Sequence, residues 1–448
     1  MSSSISTSSA DTTMDVRIPA LSESRFARFA VILLLYFIQG VPLGLSLIAV
    51  PAWLAANGAT PVIVGAFVGT ALLPWALKLV NGLVMDRFTF KPMGRRRSWI
   101  LAAQSGMVIT FFALALASPS AEEVASLTAF FFILNLCAVF NDVAVDGMTV
   151  DLVPHEEHTT INGLMFASQS VGIAMTSFVG GQFLASSQIS TIAFALAAGV
   201  GLASLMISIF RERPGERLLP WSAGQASPEC EERQQSAWWP LLKGVFGALA
   251  KPLTLLFLIG VGLSQVGWSF LDAVAPTLSV QVFGWSSEQY SSYASVVSLS
   301  AALIAAIATP LLVKFFGLRR VFITLFLASA AIFAIAGATF DPNADNRVFA
   351  TVFALQYVLN LLLVIASIVW AMRICNPAVA ASLFALFMAV PNFSRGLMSG
   401  FSGFAVESVG YGGFCLIAAA LMIVGLVFCL LGRVGDERII ATDQDKVH

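Results

Sequence analysis

The chain holds about twelve stretches of roughly 20 or more mostly apolar residues, the length a helix needs to cross the hydrocarbon core of a bilayer. They fall at approximately 27–53, 61–85, 99–118, 124–147, 161–185, 189–210, 252–283, 288–313, 321–340, 347–372, 379–406 and 411–432. Repeated spans of this length confine the fold to an all-α polytopic membrane protein, because backbone polar groups in lipid must be satisfied within each helix. Composition agrees. Of 448 residues, 58% are hydrophobic and only 11% charged, too little polar surface for a water-soluble domain of this size.

Net charge is −1, so no field attracts a nucleic acid; the placement of the positive charges is more informative. The N-terminal arm holds Arg17, Arg25 and Arg28, and the loop after the second span holds Arg87, Lys91, Arg95, Arg96 and Arg97. The central loop carries Arg211, Arg213, Arg217, Arg233, Lys243 and Lys251, the 8–9 loop Lys314, Arg319 and Arg320, the 10–11 loop Arg373, and the tail Arg433, Arg438 and Lys446. If twelve spans alternate, all these fall on one side, and only Arg347 lies on the other. The positive-inside rule then places both termini in the cytoplasm. The polar stretch 1–24 followed by a long apolar run from Phe26 does not fit a cleaved signal peptide, so no cleavage is expected. Cys137, Cys375, Cys415 and Cys429 lie in or beside spans and Cys230 in the central loop, with no CxxC spacing; a packing role is expected.

The long hydrophilic stretch within the chain, 211–245, contains Pro214, Pro220, Gly224 and Pro228 and reads as a linker between two groups of six spans. The expected organisation is a cytoplasmic arm at 1–25, a six-helix bundle at 26–210, the cytoplasmic linker, a second bundle at 246–433, and a cytoplasmic tail at 434–448. A weak repeat supports the division: Gln39 and Pro51 of the first span correspond to Gln265 and Pro276 of the seventh, and the basic loop after span 2 has a reduced counterpart at 314–320. Two parallel six-helix repeats enclosing a site near the midplane are an organisation of secondary transporters. No GxxxxGK[ST] phosphate cradle occurs, so an ion gradient is the expected energy source.

A charged side chain at the bilayer centre costs about 3 kcal/mol on insertion scales, so each one needs a partner, a wet cavity or a task. Such residues fall in stripes of helical spacing, each set on one helix face. Span 2 offers Thr70, Pro74, Lys78 and Asn81; span 4 offers Asn135, Asp142 and Asp146; span 5 offers Asn162, Gln169 and Thr176. In the second half, span 7 offers Gln265, Trp268 and Asp272; span 10 offers Gln356, Asn360, Ser367 and Trp370; span 11 offers Asn392, Arg395, Ser399 and Ser402. Spans 6, 9 and 12 have no charge or carboxamide in their interiors, and span 3 has only Gln104, as expected of lipid-facing supports. Isolated Ser, Thr or Asn residues can instead serve only helix packing.

Lys78 and Asp142 lie near the same ends of their helices and can pair. Two readings are open: Asp142, with Asp146 a turn away and Lys78 as partner, is a protonation switch, or Lys78–Asp142 is a permanent structural bridge with Lys78 partly snorkelling. His155, His158 and His448 lie outside the spans, so proton coupling would rest on carboxylates. Asp272 and Arg395 either pair with each other, or Arg395 grips an anionic group of the solute. Gln39, Gln169, Gln265, Trp268, Asp272, Gln356, Asn360, Trp370, Asn392 and Arg395 are the candidates for the solute path. The glycines and prolines of spans 1 and 7 are candidate hinges, with tight packing as the alternative. No cofactor or metal site is expected; the expected partners are a small solute, H+ and the lipid bilayer, with no nucleic acid and with function as a monomer. A membrane receptor signalling through the central loop and a membrane-embedded enzyme using Asp142 and Asp146 are the competing classes.

The loop Gly82-Leu-Val-Met-Asp86-Arg87-Phe-Thr-Phe-Lys-Pro-Met-Gly94-Arg95-Arg96-Arg97 resembles the signature between spans 2 and 3 of the major facilitator superfamily. It is an expected cytoplasmic gate, with Asp86 capping a facing helix N-terminus and pairing to the arginines; a purely topogenic basic loop is the alternative. Gly40-Val-Pro-Leu with Trp53, Asn141-Asp-Val-Ala-Val-Asp146 with Asp151-Leu-Val-Pro154, Cys375-Asn376, and Arg395 with Gly403 and Glu407 resemble, together with that loop and Lys78, the AmpG-type permeases of the peptide/acetyl-coenzyme A transporter family. The similarity runs over all twelve spans. It implies a major facilitator fold and proton-driven import of anhydro-muropeptides across the bacterial inner membrane. Related permeases import siderophores such as pyochelin, which makes a siderophore importer the alternative. In place of the acidic residue in span 7, the Arg in span 5 and the Glu in span 10 that AmpG-type chains tend to show, this chain has Trp268, Ser170 and Gln356.

Overall fold

A computed structural model of the protein describes residues 19–186, 188–232, 247, 249, 251–374 and 380–434. Among these it forms twelve long apolar helices. They are α1 (Arg25–Ala56), α2 (61–87), α3 (Arg97–Ala117), α4 (Val124–Leu152), α5 (His158–Ala185) and α6 (Ile189–Ser208), then α7 (Pro252–Val282), α8 (Ser287–Phe316), α9 (Leu318–Ala338), α10 (Asn346–Ile374), α11 (380–409) and α12 (411–431). The boundary between α11 and α12 is Gly410, whose φ of +74° ends one helix and lets the next begin at once. The arm before Pro19, the middle of the central loop, Arg233, Lys243, Cys375, Asn376 and the tail with Arg438, Lys446 and His448 lie outside the described residues.

The kinks have identifiable causes. Pro51 has no N–H to continue the helical ladder. Just before it, α1 widens into a π turn over Leu45–Ala49, where the Val50 N–H reaches the Leu45 carbonyl. α7 repeats the device at Phe270–Val274, ahead of Pro276, with the Ala275 N–H bonded to the Phe270 carbonyl. Both features recur at the same offset, 270 − 45 = 225 and 276 − 51 = 225. The repeat between halves is thus written in backbone geometry as well as in sequence. Pro74 similarly lies just ahead of Leu77, where α2 bends by 42°.

Large apolar side chains face outward on the supporting helices: Ile109 and Leu116 on α3, Leu202 and Leu205 on α6, Ile335 on α9 and Val427 on α12. The expectation of lipid-facing supports concerned these helices. Polar contacts between the halves made by described residues gather at the end away from the basic loops. There Ser177 of α5 meets Ser295 of α8 at 2.7 Å, and Gln182 donates to Ser292 at 3.3 Å. α2 and α11 approach so closely that a Cβ on Gly403 would sit 2.3 Å from the Pro61 carbonyl oxygen, so only glycine fits.

The 211–232 part of the central stretch, read from sequence as linker, is packed chain. The Arg217 N–H donates to the Pro92 carbonyl at 2.7 Å, and the Leu21 and Ser22 N–H groups donate to the carbonyls of Arg211 and Glu212. Residues 19–24, 211–232 and the 2–3 loop therefore pack together under the first bundle.

Candidate transport pathway and gate

In the first half, α1, α2 and α4 converge on Lys78. Its ammonium pairs with Asp142 and lies 3.9 Å from Asp146, two carboxylates one turn apart on α4. Gln39, from α1, donates its amide N–H to Asp142, and Tyr36, one turn earlier on the same face, donates its hydroxyl to Asp146. The Asp142 side chain is 4% exposed and that of Asp146 47%, so one carboxylate is dry and the other wetted. Trp75 offers its ring face to the Lys78 ammonium at 5.7 Å. Its indole N–H donates to Asn135 at 3.0 Å, and Asn135 donates to Ser46 at 2.8 Å, tying the three helices together. With both carboxylates ionised the cluster has one negative charge more than Lys78 can offset.

In the second half, the π turn of α7 presents Asp272 to Arg395 of α11. The guanidinium makes two bonds to the carboxylate, Nε to Oδ2 at 2.7 Å and Nη2 to Oδ1 at 3.0 Å. Its plane rests on Trp268, 4.3 Å from the ring centroid, and Tyr357 meets the edge of that ring at 5.3 Å. Burial makes such a pair costly to separate and its bidentate geometry rigid.

The remaining path candidates scatter. Gln356 exchanges bonds with Ser329, accepting from the hydroxyl at 2.7 Å and donating to the carbonyl at 3.0 Å, which joins α10 to α9. Asn360 donates to the Gln356 carbonyl and abuts Gly267 of α7. Gln265 and Asn392 donate to carbonyls of their own helices, Gln169 is half-buried where α5 crosses α1, and Trp370 is only 1% exposed. Of these side chains, Gln356 bonds to a neighbouring helix, while Gln265 and Asn392 bond to their own. Thr70 lines a cavity with Glu122 and Thr128.

At the basic end, Asp86 in the last turn of α2 accepts from Arg95 at 3.1 Å and Arg96 at 2.7 Å, and Arg95 also reaches Asp151 of α4 at 3.4 Å. Arg87 is exposed beside it, and Gly82 packs toward Val143 of α4. Sequence reasoning missed the residue beneath this network. Glu212 is 1% exposed, and its carboxylate receives the backbone N–H groups of Arg95 (2.9 Å), Arg96 (2.8 Å) and Arg97, the free donors at the start of α3. Gly94 makes room: its φ is +96°, and a Cβ there would lie 2.7 Å from the Glu212 carboxyl carbon. Arg97 turns to the carbonyls of Ser208 and Arg217. Burial raises the pKa of Glu212, against the pull of its three N–H donors. Glu216, also 1% exposed and bonded to Ser227 and the Arg213 N–H, is pushed up to about 7 by burial and by Glu212. Among the described residues no group of three His, Cys, Asp or Glu side chains is arranged to hold a metal.

Twelve apolar helices in two repeats, with buried charges in both, define a polytopic membrane transporter. Residues 32–312 match the sequence profile of the Major Facilitator Superfamily, and the chain belongs to it. The chain is 24% identical over 411 residues to the anhydromuropeptide permease of Escherichia coli K12, covering 91% of this chain and 80% of that one. It is also 33% identical over 157 residues to a folate-biopterin transporter of Synechocystis, covering 34% of this chain and 31% of that protein. Among solved structures, the nucleoside transporter NupG superposes with a TM-score of 0.66 at 16% identity, over 90% of this chain and 98% of that one. A POT family transporter in complex with 5-aminolevulinic acid gives 0.69 at 14%, over 93% and 98%. These likenesses establish the fold, and the chain resembles AmpG-type permeases along nearly its whole length.

Proposed function

We propose that this transporter is a proton-coupled importer of a muropeptide-like solute, working by alternating access in the bacterial inner membrane as a monomer with both termini cytoplasmic. The observation that carries the reading is the sharing of Lys78 by Asp142 and Asp146: one cation between two carboxylates, one dry and one wetted, is a site that can exchange a single proton as the path opens and closes. The Asp272–Arg395 pair supplies a fixed dipole in the opposite half, against which a charged solute group can be oriented. The contacts between halves at the far end fit the state closed to the outside. Import and the choice of solute rest on the likeness to the anhydromuropeptide permease. In this reading the protein carries its solute unchanged and needs no cofactor.

The aromatic support for a siderophore is weak in the structure, since Trp370 is buried and one face of Trp268 is taken by Arg395. Uptake into proteoliposomes under an imposed pH gradient tests both readings. Accumulation of an anhydro-muropeptide, abolished by a protonophore, is the expected result. Accumulation of a ferric pyochelin-type chelate alone would replace the muropeptide with the alternative, and gradient-independent equilibration of either would remove the coupling.

A further inference from the structure

Two side chains of the second half close on the turn that joins α1 to α2, and nothing above gives them a role. The last carbonyls of a helix and its first N–H groups lack partners within the helix, and carry partial negative and positive charge respectively. Gln281, at the end of α7, donates its amide N–H to the carbonyl of Ala55 (2.9 Å), in the last turn of α1, and to that of Ala59 (2.8 Å), in the turn that follows. Glu407, two turns past Ser399 on α11, accepts from the Val62 N–H at 3.4 Å, where α2 begins. Thr60, the N-cap of α2, accepts from Ile63, so Glu407 takes a donor that this cap does not. Each side chain has the sign its helix end calls for: a donor at the carbonyl end and an anion at the N–H end. Both line one open cavity of about 690 Å³ together with Ala55, Gly58, Thr60 and Pro61, so the contacts face solvent at the rim.

We infer that Gln281 and Glu407 are positioning residues of the far-end gate, clamping the α1–α2 turn by capping both of its helix ends from the opposite half. The clamp exists only while the halves meet there; opening that end withdraws both caps together. It biases the transport cycle toward the state open at the basic end. The inference rests on the alternating-access reading.

The test uses the full chain in detergent, where both faces are accessible and membrane orientation plays no part. Its five cysteines are replaced and a reporter is placed at Ser177→Cys, buried at the α5–α8 seam. Maleimide labelling then reads how often the far end opens. Loss of one cap is expected to raise the labelling rate roughly two- to tenfold in Glu407→Ala and in Gln281→Ala. Glu407→Gln, which keeps an acceptor but loses the charge, should fall between wild type and Glu407→Ala. Gln281→Glu, which sets a carboxylate against two carbonyl oxygens, should label fastest. Elution as a single species and full labelling in denaturant show that each variant is folded and competent. Equal rates in wild type and all variants, or slower labelling in Gln281→Glu, would overturn the clamp. Absence of labelling in every protein short of denaturation would overturn alternating access, and the clamp with it.

Discussion

Each half of the molecule sets one cation against a tryptophan and a carboxylate, but the two arrangements differ in what they can do. In the first half Lys78 lies beside Trp75 and pairs with Asp142, with Asp146 close behind. In the second, Arg395 lies on Trp268 and meets Asp272 alone, by two bonds. One side has two carboxylates for one lysine, and the side chain of the second, Asp146, is 47% exposed. The other is balanced one to one around an arginine, which does not deprotonate in proteins. The fold repeats between the halves while the charge balance does not: two carboxylates share one cation in the first half, and one carboxylate meets one cation in the second.

The sharpest way to break that contrast is Asp142→Asn. Uptake driven by a pH gradient should fall by about 100-fold or more, while counterflow, which needs no net proton movement, should survive. If the variant still concentrates solute in response to the gradient, the exchangeable proton is not on Asp142. Leaving Lys78 without its buried partner is also destabilising; Lys78→Met combined with Asp142→Asn should recover the folded yield without recovering coupling.

A smaller effect is expected across the molecule. Arg395→Lys keeps the charge but loses the bidentate fork and the stacked plane, and transport should drop roughly 10- to 100-fold in both counterflow and gradient-driven uptake, with the proton dependence of what remains unchanged. Exchanging the pair, Asp272→Arg with Arg395→Asp, separates two roles. Restored transport means the residues serve chiefly each other, whereas no rescue together with lost solute binding in Arg395→Lys means the guanidinium also grips the solute. A change in proton stoichiometry in Arg395→Lys would erase the division of labour between halves.

Much of this was legible because hydrophobic length and helical spacing are local properties. The twelve spans follow from apolar runs, and the Asp272–Arg395 pair follows from the rule that buried charges need partners. Pro51 and Pro276 mark the kinks, although the wide turns themselves lie just upstream. Tyr36 was missed, even though it precedes Gln39 by three residues and so shares its face; a lone tyrosine in a span carries no charge to draw attention. Gln356 reads as lining the path from its spacing alone, which carries no sign of its bonds to Ser329 of α9. Glu212 had no local signal at all. It stands between two arginines in a Pro-rich stretch, and the N–H groups it accepts from belong to residues 115 to 117 positions away.

The smallest effect expected contrasts the basic ends of the two halves. Beneath the first bundle, the 2–3 loop is held by the 211–232 segment through Glu212 and the Arg217 N–H, with Glu216 buried inside that segment, whereas its reduced counterpart in the second half leaves Lys314, Arg319 and Arg320 exposed. Glu216 is surrounded by Glu212, Ser227, Cys230 and the positive Arg213, and burial with the Glu212 charge lifts it from 4.5 to about 7. The docked segment therefore binds a proton more tightly than the released one. Its docking is strongest below pH 4.5, weakens as pH rises toward 7, and levels off above that. Amide exchange of residues 211–232 should accordingly be severalfold faster at about pH 8 than at about pH 5.5, after correction for the intrinsic chemistry of exchange, and the 314–320 loop should show no such dependence. Glu216→Gln, which keeps the acceptor for Ser227 without the charge, should flatten the profile and hold the segment docked at about pH 8. If the profile persists in Glu216→Gln, the titrating group is not Glu216, and Glu212→Gln is the next variant to measure; if both loops respond alike, the two halves do not differ at this end.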